Sequence, residues 1–466
     1  MTVTATRVAR ECLGAAGAPA PSVDTVFTGS GALASAFPVT DLAAGSVAAA
    51  GGALVSLIGQ AHGVGASLRV DRRLASFWFQ SSIRPVGWAL PPVWDAIAGD
   101  YPCRDGWIRL HTNAASHRAA ARRVLGAHDD RASIAGVVAG WDAAALEDAI
   151  VAAGGCAARM CSVNEWRAHP QGAAVAGEPL VHVDVGDAAK APAWPVPRQR
   201  PLDGIRVLDL TRVLAGPVAT RFLAGYGADV LRIDPPWWDE PAIAPEVTLG
   251  KRCARLDLRE PVDRACFESL LAGADVLLHG YRPGALDALG YGPKARRRIS
   301  PGLVDVSLDA YGWTGPWATR RGFDSLVQMS SGIAHEGMRW SGADAPTPLP
   351  AQALDHATGY LLAACAIAGL GRRVADGRPT TCRVSLARTA GLLLGLPREP
   401  QDAPLAPPGA ADVVPAPEVT PWGDASRLLP PLEIDGTPCR WSRGAARLGG
   451  DPAGWAERAL ACKARV

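Results

Sequence analysis

"VLDLTRVLAGPVATRFLAGYGADVLRID", residues 207–234, is the stretch whose reading decides the fold. The apolar run 205–210 has the length and composition of a buried strand, and residues 211–217 form a loop after it. A helix follows, ended by Gly225 or Gly227, and 229–233 is a second apolar run. Strand, helix and strand make a β-α-β unit, and continuously apolar strands imply a parallel sheet covered on both faces. Such sheets bind ligands outside the carboxyl ends of their strands. The loop 211–217 lies at such an end.

Further strand candidates, 274–278, 303–308 and 383–386, alternate with helical patterns such as 262–271, so the middle of the chain reads as a doubly wound α/β domain. Two Pro-rich stretches, 191–201 and 397–421, bracket it as connectors. Upstream, residues 99–126 read as a hairpin leading into a helix. With a helix over 141–153 and the segment "CSVNEWRAHPQG" they make a small α+β domain.

Composition narrows the function. The 466 residues carry 47 Lys and Arg against 45 Asp and Glu, a net charge of +2, with the basic residues spread along the chain. Nothing in that distribution is built to bind a polyanion, so nucleic acid is not an expected partner. The ten Cys show no CxxC pair and the nine His no HExxH, so neither a metal site nor a disulfide framework is expected. No GxGxxG follows the first strand and no GxxxxGK[ST] occurs, which argues against NAD and ATP. The most apolar segment, 42–58, is too short and too rich in Ala and Gly for a confident membrane span and reads as a buried helix. The N-terminus lacks the apolar core of a signal peptide, which makes a cytoplasmic location the expectation.

A repeat is hidden in the chain. Setting Asp41 on Asp355 aligns 41–70 with 355–384 without a gap. Nine of thirty positions agree, among them Gly45/Gly359, Gly63/Gly377, Arg69/Arg383 and Val70/Val384. Both copies follow one plan: an Asp, a helix of small residues, a Gly turn, a strand. Asp before an apolar helix is also a favoured N-cap, worth about 1 kcal/mol. Capping is the reading kept for Asp41.

"RPLDGIRVLDLTRVLAGPVATRFLAGYGADVLRID", "GKRCARLDL", "GYRPGALDALG" and "YGWTGPWATRRGFDSLVQMSSG", in this order, resemble the family III coenzyme A transferases, a family that also holds α-methylacyl-CoA racemases and carnitine or bile-acid CoA transferases. The resemblance covers residues 201–394. It implies a Rossmann-like, doubly wound parallel sheet as the large domain, with a small α+β domain. On that basis the expected organisation is a partial copy of the Asp-helix-strand unit in 1–89 and the small domain in 90–180. A Pro-rich linker over 181–200, the CoA-binding large domain over 201–395 and a Pro-rich C-terminal return segment over 396–466 complete it. In the family the complete large-domain half comes first; here it follows the small domain, so the order is fused or permuted.

The resemblance also implies chemistry. Asp355 matches the nucleophilic aspartate, whose carboxylate attacks an acyl-CoA thioester to give a mixed anhydride, and exchange with a carboxylic acid then passes CoA on. Arg212, Val213, Leu214 and Ala215 match positions lining the pantetheine and nucleotide of CoA, Leu256 an adenine-side contact, Tyr281 an aromatic one and Arg321 a basic residue near the phosphates. Arg282, in "YRPG", is a further candidate for phosphate. Acyl-CoA and a carboxylic acid are the implied small-molecule partners. No permanently bound cofactor, no membrane and a homodimer complete the expectation; the interlocked pairing of large and small domains that the resemblance implies is either made internal by the fusion or kept between chains.

The sequence departs from the family at Gly280, where many members have Asn, at Ala288, where some have a phosphate-binding Arg, and in lacking a glycine-rich loop. The racemases carry a proton-exchanging His before the Asp of "GHD"; here the motif is Gly322-Phe323-Asp324. Phenylalanine cannot carry a proton, so racemisation is disfavoured. His356, beside Asp355, is expected to point to solvent. A racemase or another CoA-ester enzyme of the same fold, and a silent CoA-binding subunit, are the competing readings.

Overall fold

The computed structural model describes residues 2–20, 24–189, 194–398 and 403–456. At its centre is a seven-stranded sheet. Its spatial order is Arg252–Arg255, Asp229–Asp234, Arg206–Leu210, Val276–His279, Val304–Asp309, Thr380–Ser385 and His182–Val185. The first six strands are parallel and the last is antiparallel. From Arg206–Leu210 the chain first builds outward to one side and then to the other. The order therefore reverses between Arg206–Leu210 and Val276–His279, the place where open α/β sheets hold ligands.

Two 24-residue helices, Val39–His62 and Ala353–Asp376, pack on each other in the main core. Each is long and apolar enough to cross a membrane, yet its most apolar window is 94% and 100% buried inside the fold, respectively. Both end on a left-handed glycine, Gly63 at φ 68° and Gly377 at φ 71°, a conformation open to Gly because it has no Cβ. Their inner flanks are matched too. A Cβ on Gly45 would lie 2.6 Å from the Ala5 carbonyl oxygen and 2.6 Å from Val8 Cβ; one on Gly359 would lie 2.5 Å from the Ala215 oxygen and 2.8 Å from Val218 Cβ. Helix Val3–Ala15 thus sits on the Asp41 helix as Ala215–Gly225 sits on the Asp355 helix.

Neither aspartate is an N-cap. The caps are Pro38 and Gln352, both without a side-chain bond, and each Asp lies three residues further on, inside the first turn. The capping reading of Asp41 is corrected accordingly: its carboxylate accepts from the Arg72 guanidinium at 3.1 Å.

The halves of the chain exchange strands. His182–Val185, from the region expected to be a linker, is an ordered edge strand that pairs antiparallel with Thr380–Ser385, setting His182 opposite Arg383. Leu432–Ile434, in the return segment, pairs antiparallel with Leu68–Asp71, setting Glu433 opposite Arg69. Arg69 and Arg383 are repeat equivalents, so each half contributes one strand to the other's sheet at the same register. Part of the first Pro-rich stretch (191–193, with residue 190 before it) and part of the second (399–402) fall outside the described residues.

The small domain is a three-stranded antiparallel sheet, Gly99–Cys103, Gly106–Leu110 and Ala157–Arg159, covered by helices Ala115–Leu125, Arg131–Val138 and Ala143–Ala152 around Tyr101, Ile108, Leu146 and Ile150.

Candidate active site

The loop after strand Arg206–Leu210 is fixed from below by buried charge. Asp209 Oδ1 accepts the Thr211 N–H at 2.9 Å and its hydroxyl at 2.5 Å; Oδ2 accepts Thr220 Oγ1 at 2.5 Å and Lys251 Nζ at 3.1 Å. Lys251 also donates to the Pro217 carbonyl at 3.0 Å. Burial by itself would raise the Asp209 carboxyl, but Lys251 and then Arg232 outweigh it and leave it below the usual range. The loop follows a tight path. Val213 sits at φ 61°, uncommon for a β-branched residue, and its N–H donates to Glu240 Oε2 at 3.0 Å.

Arg212 stands partly exposed at the strand's carboxyl end. Its guanidinium lies 4.8 Å from the Trp238 ring centroid and 5.2 Å from that of Tyr281, donates to Tyr281 Oη at 3.1 Å and faces Asp234 at 3.7 Å. Of the expected contacts, Arg212, Val213 and Tyr281 thus come together, and Arg282 follows Tyr281 as an exposed cation. Leu214 caps helix Ala215–Gly225, and Ala215 begins it and touches the Asp355 helix at Gly359. Leu256 is buried in an apolar layer with Leu210, Leu231 and Ile233. Arg321 lies apart from this group. It reaches across to the small domain, to the Gly154 carbonyl at 3.4 Å.

Asp355 is 6% exposed, and Asp324 beside it is fully buried. Asp324 Oδ2 accepts the backbone N–H of Asp355 at 2.9 Å, while Oδ1 accepts Gln328 Nε2 at 2.5 Å. Burial, then the like charge of Asp324, holds the Asp355 carboxyl well above the ordinary carboxylate range. Asp324 is itself pushed up to about 6 by burial, against the hydrogen bonds it accepts. His356 does not point to solvent. It is 2% exposed, its ring stacks on Phe79 at 4.9 Å, and burial, then Arg221, lowers it to about 3.

The small domain closes on this site within the same chain. His111 stacks flat on Phe323 at 3.8 Å between centroids and meets Ser325 Oγ at 3.4 Å. Arg320 donates to Glu147 Oε1 at 2.6 Å, and the Cys161 N–H donates to the Met329 carbonyl at 3.0 Å. Behind it, Gln171 donates to the Tyr311 and Thr314 carbonyls at 2.9 and 2.8 Å, and Glu178 Oε1 accepts the Trp313 and Thr314 N–H groups at 2.8 and 2.7 Å. Among the described residues no cluster of His, Cys, Asp and Glu could hold a metal.

Sequence reasoning did not single out Asp209, Lys251 or Glu240, and it met Asp324 only as the last residue of the Gly322-Phe323-Asp324 motif. A carboxylate inside an apolar strand, as Asp209 is, would have been a usable signal, because such a charge needs a buried partner.

Residues 202–397 match CoA-transferase family III. A probable fatty acyl-CoA transferase of Mycobacterium tuberculosis is 32% identical over 231 residues, 44% of this chain and 57% of that protein. Succinyl-CoA:glutarate CoA-transferase of Mus musculus is 33% identical over 194 residues, 38% of this chain and 44% of that protein. A crystal structure of the mycobacterial protein has 34% identity and a TM-score of 0.38, covering 41% of this chain and 54% of that one. The chain spans about half the length of the curated relatives it matches. The segment that carries the loop 211–217, the Asp324 helix and Asp355 is thus similar to CoA-transferase family III.

Proposed function

We propose that the chain transfers coenzyme A between an acyl-CoA thioester and a carboxylic acid, with Asp355 as the nucleophile. The observation that carries this reading is a carboxylate set inside the first turn of a buried helix, under the small domain, with another carboxylate rather than a cation as its charged neighbour. An aspartate kept for stability is normally paired, as Asp41 is. The Asp355 carboxylate attacks the thioester carbon, the carbon-sulfur bond breaks and an anhydride forms; the CoA thiolate attacks the aspartyl carbonyl of that anhydride and expels the donor acid, the acceptor carboxylate displaces CoA from the resulting Asp355 thioester, and CoA then takes the acceptor's acyl group and frees Asp355. Splitting the transfer into two covalent steps lowers each barrier, and the closed site aligns a nucleophile that is weak in water. The sheet, in this reading, is Rossmann-like. Arg212 and Arg282 are the cations for the CoA phosphates, Val213, Leu214 and Ala215 the apolar track for pantetheine, Leu256 and Tyr281 its nucleotide side, and Arg321 a basic group on the small-domain rim.

The catalytic unit in this reading is a single chain. The family's interlocked pairing becomes internal, through the two exchanged strands and the small domain seated on residues 309–331. A homodimer would then join two complete sites rather than build one. A cytoplasmic location belongs to the same proposal. Racemisation gains nothing from the geometry, because Phe323 offers no proton and His111, lowered to about 3 by burial, lies flat against it.

The test is intact-protein mass spectrometry after incubation with a panel of acyl-CoAs and hydroxylamine. A hydroxamate on the wild type and none on Asp355→Ala supports the reading and names the donor. CoA binding with no adduct from any donor replaces it with the silent CoA-binding subunit.

A further inference from the structure

Asp324 is more tightly held than the residue it touches. It is the first residue of helix Asp324–Ser330, and both of its carboxylate oxygens are used: one by the Asp355 N–H at 2.9 Å, the other by Gln328 Nε2 at 2.5 Å. Gln328 cannot turn away, because its Oε1 accepts the Leu349 N–H at 2.8 Å. The anchored carboxylate therefore lies against the backbone of the nucleophile, and two carboxyls in one buried site resist ionising together.

The groups that could relieve this are few and engaged elsewhere. Arg109, on the small-domain strand Gly106–Leu110, is the cation acting on Asp324, but its Nη1 donates to both Asp100 oxygens at 2.8 Å and its guanidinium lies over Trp94. His111 is stacked on Phe323 and His356 on Phe79, and burial keeps both neutral.

We propose that Asp324 is a positioning residue that fixes the first turn of the Asp355 helix and sets a second carboxylate beside it, so that the nucleophile ionises against its neighbour's charge. The inference rests on the reading of Asp355 as the nucleophile. Burial pushes Asp324 up to about 6, and burial with the like charge of Asp324 holds Asp355 well above the ordinary carboxylate range. The carboxylate form attacks, so adduct formation rises with pH through the titration of Asp355. The step balances. The Asp355 oxygen-to-acyl-carbon bond forms, the carbon-sulfur bond breaks, and the departing CoA sulfur takes up a proton equal to the one Asp355 gave up.

The test is carboxyl-carbon NMR of the full chain labelled at aspartate, followed across pH without substrate. The expected result has Asp324 titrating near 6 and Asp355 above it, with a small inflection in the Asp355 signal as Asp324 ionises. In Asp324→Asn, Asp355 moves to lower pH; in Asp355→Asn, Asp324 stays near 6. If Asp324→Asn does not fold, the order of titration and the inflection in the wild type still decide. An Asp355 that titrates in the ordinary carboxylate range, or at an unchanged midpoint in Asp324→Asn, overturns the proposal. Because no substrate is used, that result is separable from failure of the transferase reading, whose sign is the absence of any acyl adduct. With a donor in hand, Asp324→Asn should move the pH midpoint of adduct formation downward; a lower rate at every pH with a fixed midpoint would make Asp324 merely structural.

Discussion

The Asp41 and Asp355 helices are the same device with opposite electrostatics. They share their length, their cap geometry, their terminal glycine and the close approach of a neighbouring helix at Gly45 or Gly359. Each is followed by a strand and then by a short helix capped by Asp71 or Ser385. The first residue of that short helix is Arg72 in one copy and Leu386 in the other. Arg72 reaches back to Asp41; Leu386 is a buried hydrocarbon and leaves Asp355 to Asp324. The entrance differs as well. The small domain packs on the segment 323–329 that carries Asp324, whereas residues 403–412 lie against the first copy, where Leu405 donates its N–H to the Ala32 carbonyl and Asp412 pairs with Arg73. The two copies keep the same packing, and Arg72 in one against Leu386 in the other sets an arginine beside the first aspartate and a hydrocarbon at the equivalent place in the second.

The largest expected effect comes from removing the two aspartates in turn. Asp355→Asn should abolish the acyl adduct and lower turnover by at least about a thousand-fold, while Asp41→Asn should leave turnover within about twofold of the wild type. Steady-state rates on the donor identified by mass spectrometry would check both, and comparable losses would break the comparison.

Glu246 ties the copies together, accepting Ser82 Oγ and the Ser82 and Ile83 N–H groups from the first half, Arg221 from the second and Arg427 from the return segment. Burial would raise its carboxyl, but Arg221, then Arg427, bring it down to about 2. A depressed carboxyl stabilises the fold above its unfolded value, about 4.3, and that stability is lost as pH falls from there toward 2. Glu246→Gln should cost about 3 kcal/mol in urea unfolding at neutral pH, and the deficit relative to wild type should shrink at pH 3. Loss of one half's transition alone would show that the halves are not a unit.

Arg72→Leu gives the first copy the residue of the second. It should destabilise the fold by about 2 kcal/mol, since a mostly buried carboxylate loses this cation. No adduct should appear on Asp41, because no small domain covers it.

The smallest effects separate the copies most finely. Gly45→Ala and Gly359→Ala each press a methyl group onto a carbonyl of the adjacent helix and should each cost about 1–3 kcal/mol. Only Gly359→Ala pushes on Ala215 and the loop before it. It alone should weaken CoA binding measured by calorimetry.

The legible parts of the molecule were those governed by period and spacing. The β-α-β unit at 207–234, the hairpin and helix at 99–126 and the long buried helix around 42–58 all formed, with ends shifted by a few residues. The repeat was legible because Gly45/Gly359 and Gly63/Gly377 are demanded by close contact and by positive φ, which no other residue meets as cheaply. His182–Val185 and Leu432–Ile434 were not, because a four-residue and a three-residue edge strand carry too little pattern beside Pro-rich sequence, and their partners lie some two hundred and some three hundred and sixty residues away. Asp355 was legible only through the family resemblance. The contact of Asp324 with Asp355 was hidden because it is a hydrogen bond to a backbone thirty-one residues further on, and that of Arg72 because an arginine in a first helical turn gives no sign of which carboxylate it will meet.

The most direct test of the account is the number and position of acyl groups trapped per chain, read by peptide mapping after a single turnover with the active acyl-CoA at protein concentrations spanning several decades. A single acyl group per chain is expected, on the peptide that contains Asp355, with a yield independent of dilution. A group on Asp41, two groups per chain, or a yield that collapses on dilution would contradict it.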